Sequence, residues 1–452
     1  MTNLPTSILH IFAIFSPVFS STIYQNIFKL FLGHILCKGR RTVADILRTL
    51  GLENIKNFSK FHWVFSGAKW ECLKASKILF LFLVNFFCSK DEEIFITIDS
   101  TLERRRGPKI QGLGCHRDAV RSTKKRKVIT TGLSWLVCGL KVTLPFSKSA
   151  WTLPFLSVLL KPEHVLSTSK NFKDLNKPTK HKKLTLWTYQ IMCCLRRWTF
   201  REITVVADSA FSCIKLAYAF VEMRVALITR IRLDARLNEF INPNQKTKRK
   251  RVAGKLLPKL SVLAKKKMCE WQKVTVKYYG GETKELFIQS GKCLWYYVGF
   301  TPVPIHWVLI KENENSEPVA LFSTNLMHTV KVIIEAYIGR WGIEVVFEEC
   351  RRHLGLGTQR QWADKSIERI TPAILASFSL ITAMAFDMSK QRKEEIPLQS
   401  TSWYKKEHIT FSDLLAYLRK PLWQEKYTTL VGKKGEFRKR DVDEFIKRAA
   451  AA

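Results

Sequence analysis

The sequence of 452 residues is poor in acidic side chains and lacks several common catalytic motifs. Only 38 residues are Asp or Glu, against 75 Lys or Arg, so the net formal charge is +37. There is no G-x-x-x-x-G-K-[ST], no G-x-S-x-G and no H-E-x-x-H. ATPases, serine hydrolases and zinc proteases of those types therefore have no support. So large a surplus of positive charge indicates a polyanionic partner.

The cysteines and the hydrophobic runs argue against further classes of protein. The eleven cysteines are scattered, and no C-x-x-C occurs, so neither a zinc knuckle nor a dithiol redox centre is indicated. We expect free thiols in a reducing compartment. The apolar run Ile78–Cys88 is shorter than the ~20 residues that cross a bilayer. We interpret the run Leu4–Phe19 as a buried helix rather than a signal peptide, and we expect no membrane partner.

Composition and hydrophobic periodicity divide the chain into five regions. We predict a helical N-terminal region that is a candidate for DNA binding, a first part of an α/β core, a basic β-rich insertion, a core helix that carries an acid, and a helical basic C-terminal region. These are residues 1–90, 91–231, 232–330, 331–357 and 358–452. Within the first, Thr42 is a candidate helix N-cap and Gly51 a stop signal.

The core region combines β-rich runs with helical periodicity. We predict strands at Ile94–Ile98, Val128–Cys138, Leu140–Phe146, Ile203–Ala207 and Val225–Ile231. Helices are predicted at 184–198 and around 212–222. Three early strands followed by alternating helices and strands predict an α/β fold, with a mixed sheet and helices on its faces.

Two aspartates follow the apolar runs of this sheet. Asp99 comes after Ile94–Ile98, and Asp208 comes after Ile203–Ala207. On neighbouring strands the two carboxylates could converge and repel each other, and a divalent cation would relieve that repulsion. Hard oxygen ligands and a phosphate substrate suit Mg²⁺ or Mn²⁺. The alternative is that each Asp only caps the turn that follows it.

A third acid lies in a helical segment. In a continuous helix, Tyr337, Arg340, Glu344 and Arg351 fall within a face about 60° wide at about 100° per residue. Arg pairs geometrically with phosphate, and Glu can bind a metal. The alternative is a solvated face with an Arg340–Glu344 ion pair. Glu348 falls on the same arc, so spacing does not exclude it as the acid.

These segments together resemble the bacterial insertion-sequence DDE transposases. The run from Tyr337 to Arg351 is similar to their Tyr-x2-Arg-x3-Glu-x6-Lys signature, with Arg351 in place of the final Lys. Other similar blocks are Gly39-Arg-Arg-Thr-Val-Ala, Ile98-Asp99-Ser-Thr, Gly107-Pro-Lys, Gly112-Leu-Gly-Cys-His116 and Val205-Val-Ala-Asp208-Ser-Ala-Phe. The similarity thus extends in blocks from about 39 to 357.

The resemblance implies a ribonuclease-H-like core interrupted by the β-rich insertion. It implies that Asp99, Asp208 and Glu344 are the catalytic residues and hold two Mg²⁺ ions, for which Mn²⁺ can substitute. Tyr337, Arg340 and Arg351 would contact phosphates at the transposon end. Glu348 remains the fallback for the third acid.

The implied activity is cleavage at the ends of an insertion sequence and joining of the 3′-hydroxyls to target DNA. Double-stranded DNA, as terminal inverted repeats and as target, would be the partner, with a homodimer pairing two ends. We expect a cytoplasmic, nucleoid-associated protein. The alternatives are a ribonuclease-H-like endonuclease without strand transfer and a catalytically silent relic or repressor that binds DNA.

Further residues have both a functional and a structural interpretation. The basic runs Arg104–Arg106 and Lys246, Lys248, Arg249, Lys250, Arg251 could contact DNA phosphates, although a single basic run is usually solvated surface. His116 could lie near the active site, although a loop histidine is more often structural. Trp295 could stack on an unpaired base or belong to a small β core.

Overall fold

Helices make up the N-terminal region. The computed structural model describes residues 4–107, 109–118, 120–123, 125–162, 181–241, 252–267, 270–431 and 439–451. Its first helices are α1 (Thr6–Ala13), α2 (Ser21–Leu36), α3 (Val43–Thr49), α4 (Ser59–Ser66) and α5 (Cys72–Phe87). The prediction for α3 is confirmed: the Thr42 hydroxyl accepts a 3.1 Å hydrogen bond from the Asp45 N–H. The helix stops before Gly51, whose φ of +73° favours glycine.

A mixed sheet forms the centre of the molecule. Its first strands are β1 (Ile94–Arg104), β2 (Gly114–Arg117), β3 (Ile129–Thr143), β4 (Ala150–Leu160), β5 (Ile203–Ala207) and β6 (Val225–Arg230). Strand β1 pairs antiparallel with β3 and parallel with β5, while β4 pairs with β3 and β6 with β5. Helices α6 (Leu184–Trp198) and α7 (Ile214–Glu222) connect the later strands. The order β4-β3-β1-β5-β6 is the ribonuclease-H-like arrangement, so the predicted fold class is confirmed.

The prediction of two strands over 128–146 was wrong. Residues 129–143 form the single strand β3, and the second antiparallel strand is β4, which the sequence analysis did not predict. Gly139 does not end β3, because it occupies a bulge where a Cβ atom would lie 2.3 Å from Thr152. The sequence pattern did not predict β4 because it contains Pro154, and proline disfavours strands. It is tolerated here because it faces Gly139 at that bulge.

Segment 232–330 extends the same sheet. It contributes β7 (Leu237–Asn238), the short helix α8 (Leu260–Leu263), β8 (Gln272–Lys277), β9 (Thr283–Trp295), β10 (Val303–Lys311) and β11 (Val319–Ser323). The strands pair antiparallel, and Leu321–Ser323 of β11 pair with Ile228–Arg230 of β6. The segment is the β-rich insertion that the sequence predicts, and its strands continue the core sheet, because β11 satisfies the backbone groups that β6 would otherwise leave unpaired.

The two faces of the sheet are covered by different helices. Helix α9 (Val330–Gly339) packs with Val206 and Ile228, whereas the neighbouring Val205 and Leu227 belong to the core that contains Phe220 of α7. Successive strand residues point to opposite faces, so α7 and α9 lie on opposite sides. Helix α10 (Gly342–His353) follows α9 and contacts β1 and β4.

The C-terminal region contains α11 (Asp364–Arg392), α12 (Phe411–Val431) and α13 (Lys439–Ala450). By length and composition α11 could cross a membrane, but 67% of its most apolar window is buried within the protein. It packs on β4 and on the N-terminal helices α1, α4 and α5. This packing explains why α11 is so apolar.

Candidate active site

Asp99 and Asp208 lie side by side in the sheet. The parallel pairing of β1 with β5 ends at the pair Ile98 and Ala207, so the two aspartates occupy the next position on each strand. Contrary to the prediction, Asp99 does not end its strand, because β1 continues to Arg104 through its pairing with β3. Adjacent strands are about 4.8 Å apart, which places the two acids next to each other.

Backbone N–H groups fix both carboxylates. One Asp99 oxygen accepts a 2.7 Å hydrogen bond from the Ser100 N–H. Asp208 accepts a 2.9 Å bond from the Ala210 N–H and caps a short 3₁₀ turn. The capping interpretation of Asp208 is thus correct, and it does not exclude a second role, since a carboxylate has free acceptor capacity beyond one N–H.

Arg340 joins the first acid to the third. Its Nη1 lies 2.8 Å from an Asp99 carboxylate oxygen, and its Nη2 lies 2.9 Å from Oε1 of Glu344. The ion pair expected as an alternative at Arg340–Glu344 is therefore present, but it is not a fully solvated pair, since the two side chains are 12% and 35% exposed. Asp99 and Arg340 are 14% and 12% exposed in their side chains. The guanidinium thus links carboxylates from β1 and α10 in a largely buried position.

A break in the helix positions Glu344. The sequence predicted one continuous helix, but α9 ends at Gly339 and α10 begins at Gly342, with i→i−3 hydrogen bonds between them. A Cβ atom on Gly342 would lie 2.9 Å from Thr152 of β4. The absence of a side chain lets the start of α10 approach the sheet, which brings Glu344, in the first turn of α10, to Asp99.

The charges of Asp208 and Glu344 add to the cost of ionising Asp99. Burial is the main cause that raises the pKa of Asp99 to about 6, and the charges of Asp208 and Glu344 raise it further. Arg340 and the Ser100 N–H act in the opposite direction. The guanidinium therefore offsets only part of the negative charge that the three acids bring together.

Tyr337 and Arg351 flank this cluster on the same face. The ring of Tyr337 lies between two guanidinium groups, 5.5 Å from that of Arg230 and 5.8 Å from that of Arg340. Arg351 donates a 2.6 Å hydrogen bond to the hydroxyl of Thr101, two residues beyond Asp99 on β1. The structure thus gathers all four residues of the predicted helical face beside Asp99 and Asp208.

The comparisons with known proteins place the chain in a family. The profile of the DDE superfamily endonucleases matches residues 17–283, which is more than half of the chain. The chain belongs to the DDE superfamily endonuclease family. The match includes Asp99 and Asp208 and ends before Glu344.

The chain was also compared with solved structures and with curated protein sequences. The cryo-EM structure of a piggyBac transposase synaptic complex with hairpin DNA is similar, with a TM-score of 0.43 and 12% identity. The alignment covers 98% of this chain and 85% of that one. A comparison with curated protein sequences found no match.

For a DDE endonuclease, the gathered acids are the expected ligands of divalent ions. In the described part of the chain, no three His, Cys, Asp or Glu side chains lie close enough to enclose a metal ion. The guanidinium of Arg340 instead lies between Asp99 and Glu344. The chemistry of the donors nevertheless suits a divalent cation, because they are hard carboxylate oxygens and Arg340 already places a positive charge between two of them.

Three residues considered in the sequence analysis lie outside this cluster. Glu348 pairs with Arg352 on the surface, 2.5 Å away, and its side chain is 62% exposed. His116 is in β2, which pairs with β3 and not with β1. Trp295 is buried in β9, with its ring 5.3 Å from that of Phe322. The basic run Lys246–Arg251 lies outside the described residues.

Two residues of the site, Arg230 and Thr101, were not predicted from the sequence. Arg230 ends β6, the strand next to Asp208, and stacks on Tyr337. Thr101 holds Arg351. Arg230 follows an apolar run, as Asp208 does, and this pattern could have identified it as a candidate site residue. Nothing in the local sequence marks Thr101, whose role depends on contact with a residue 250 positions away.

Proposed function

We propose that this DDE endonuclease is a DNA transposase of the insertion-sequence type with a Tyr-Arg-Glu-Lys-like signature. It would bind the terminal inverted repeats of its element as a homodimer, cut at the element ends and join the 3′-hydroxyls to target DNA. We also propose that the protein acts in the cytoplasm, in association with the nucleoid. The observation that carries it is the convergence of acids from β1, β5 and α10 with Tyr337, Arg340 and Arg351.

The metal-binding residues would be Asp99, Asp208 and Glu344. When bound, two Mg²⁺ or Mn²⁺ ions would supply activation of water or a 3′-hydroxyl and neutralisation of the leaving oxygen. The rigid strand positions of Asp99 and Asp208 fix two ligands before any ion arrives. Glu344 stands on α10, whose approach to the sheet depends on Gly342.

The cationic residues would hold the DNA strand at this point. Arg340 and Arg351 present planar guanidinium groups, which suit bidentate contact with phosphate oxygens. Tyr337 keeps Arg340 and Arg230 apart and aligned through its ring. Release of Arg340 from Asp99 and Glu344 onto a phosphate would free both carboxylates as the DNA binds.

The test is cleavage of a DNA fragment that carries the element's own terminal repeats, in Mg²⁺ and in Mn²⁺. We expect Asp208→Asn and Glu344→Gln to reduce the cleavage rate by about 1,000-fold or more, corresponding to about 4 kcal/mol of transition-state stabilisation. Glu348→Gln is the matched control, since it removes an acid from the same helix outside the cluster, and it should cut normally.

Three outcomes separate the alternatives. Cleavage at the repeat boundary followed by joining to a target plasmid supports the transposase. Cleavage without joining supports an endonuclease that lacks strand transfer. If the wild type binds the ends but cuts in neither metal, the chain is a catalytically silent relic or a repressor, and the enzymatic proposal is wrong.

A further inference from the structure

A cleft lined by arginines lies beyond the acidic cluster. It has a volume of about 320 Å³ and is enclosed by the end of β1, the start of β3 and the loop that follows α10. We call it the arginine pocket, and its charged lining residues are Arg104, Arg105, Arg106, Arg121 and Arg360. Neither the family match nor the candidate active site assigns it a role.

The pocket carries more positive charge than its acids offset. Asp118 accepts two hydrogen bonds from Arg104, at 2.7 and 2.9 Å, and lies 3.7 Å from Arg121. Glu103 pairs with Arg105 at 2.8 Å. Arg106 and Arg360 have no acidic partner among the described residues. The nearby residues 108, 119 and 124, which lie outside the described part, are Pro, Ala and Lys. Five arginines therefore face two carboxylates.

The floor of the pocket is rigid. Arg105 is 5% exposed in its side chain and is held by Glu103 and by the backbone carbonyl of Gln361. The backbone N–H of Arg105 donates to the Thr131 carbonyl, and the Thr131 hydroxyl donates to the Arg105 carbonyl. These bonds extend the β1–β3 pairing by one residue beyond Arg104 and Gly132. The exposed arginines at the rim, Arg106 and Arg360, are thus attached to a fixed frame, which lowers the cost of ordering them around a ligand.

The pocket is separated from the acids by a defined length of strand. Arg104 lies five residues after Asp99 on β1, which is about 16 Å at ~3.3 Å per residue. Arg351, bound to Thr101, lies between the two sites. The same distance corresponds to about five base-pair steps of a duplex at ~3.4 Å each. A phosphate in the pocket would therefore be a different phosphate from the one at the carboxylates.

We propose that the arginine pocket binds a backbone phosphate of the DNA substrate, about five base pairs from the point of cleavage. The position relative to cleavage rests on the proposed function, whereas phosphate binding itself does not. Guanidinium forks match phosphate oxygens in geometry and charge, and phosphate contacts are independent of base sequence. Arg106 and Arg360 are the two residues that are free to turn toward it.

The test measures binding of a fluorescent 30-bp duplex of mixed sequence, without divalent metal, across a range of KCl concentrations. The variant Arg106→Gln/Arg360→Gln is compared with Lys90→Gln/Arg224→Gln. Lys90 and Arg224 are also exposed, but they precede β1 and β6 and so lie at the opposite end of the strands from the pocket. Both double variants remove two positive charges, so they share any loss that follows net charge alone.

We expect the pocket variant to make the slope of log K against log [KCl] shallower by about 0.9, the change that loss of one phosphate contact produces. Arg106→Gln alone and Arg360→Gln alone should each give about half of this change in slope. The Lys90→Gln/Arg224→Gln slope should equal that of the wild type. Equal slopes for both double variants, whether changed or unchanged, would overturn the proposal.

Failure of this proposal is distinguishable from failure of the proposed function. The binding measurement contains no metal and requires no cleavage, so a catalytically silent chain still gives an answer. Conversely, the wild type could cut its terminal repeats while the pocket variant shows the same salt dependence as the control variant. The proposed transposase function would then stand, and the arginine pocket would not be a phosphate site.

Discussion

Replacing Asp99 by asparagine should make the protein more stable at neutral pH. Burial raises the pKa of Asp99 from its ordinary value near 4 to about 6, so its ionisation opposes folding. At 1.36 kcal/mol per pKa unit, the ionised carboxylate costs about 3 kcal/mol at pH 7.5. Asparagine removes the charge but has one acceptor oxygen, so it keeps the hydrogen bond from the Ser100 N–H or the one from Arg340, not both. The lost bond offsets about 1 kcal/mol of the gain, and we therefore expect Asp99→Asn to raise the free energy of unfolding by about 2 kcal/mol at pH 7.5 while it abolishes cleavage.

The sign of the pH dependence follows from proton binding. Between pH 4 and 6 the folded state binds more protons at Asp99 than the unfolded state does, so the Asp99 contribution to stability falls as pH rises. The difference between variant and wild type should be close to zero at pH 4.5 and about 2 kcal/mol at pH 7.5, because the gain from removing the charge grows with pH while the cost of the lost hydrogen bond does not. Urea denaturation at both pH values measures it.

The control for this prediction is Glu348→Gln. Glu348 is an exposed acid of α10 that pairs with the surface residue Arg352. Its substitution should change stability by less than about 1 kcal/mol at either pH. If Asp99→Asn is no more stable than the wild type at pH 7.5, the attraction of Arg340 outweighs burial, and the reasoning about the acidic cluster is wrong.

Two further variants test the framework around the site. Gly342→Ala should cost about 1–3 kcal/mol and slow cleavage, because its methyl group would press on Thr152 of β4, 2.9 Å away, and displace α10. Gly39→Ala, which meets nothing within 4 Å, is the stability control in the same urea titration. Arg105→Met should cost about 3–5 kcal/mol by leaving Glu103 buried and unpaired, and thermal unfolding would show this as a lowered midpoint. An unchanged midpoint would contradict the buried ion pair.

Local sequence patterns predicted the elements that depend only on neighbouring residues. The apolar runs before Asp99 and Asp208 lie in β1 and β5, because a run of five mostly buried residues suits a strand covered on both faces. Thr42 was correctly assigned as a cap, since capping involves atoms three residues apart. The α/β class followed from the order of strands and helices.

Features that depend on distant partners were not predictable in the same way. The bulge at Gly139 and the strand that contains Pro154 exist only as a pair, so neither is visible in its own segment. The pairing of β11 with β6, which joins the β-rich insertion to the core sheet, is likewise not visible in either segment alone.

The sequence by itself supplied the candidate residues for the site: the positive charge, the acids after apolar strands, and the spacing from Tyr337 to Arg351. Helical spacing alone left Glu344 and Glu348 equivalent, because both fall on one helical arc, and the family resemblance favoured Glu344. The tertiary structure separates the two acids in space, by the break before Gly342 and by the guanidinium of Arg340 that links Glu344 to Asp99. The physical reason is that helical periodicity fixes the direction of a side chain along its own axis, whereas the distance to a carboxylate on another strand depends on packing.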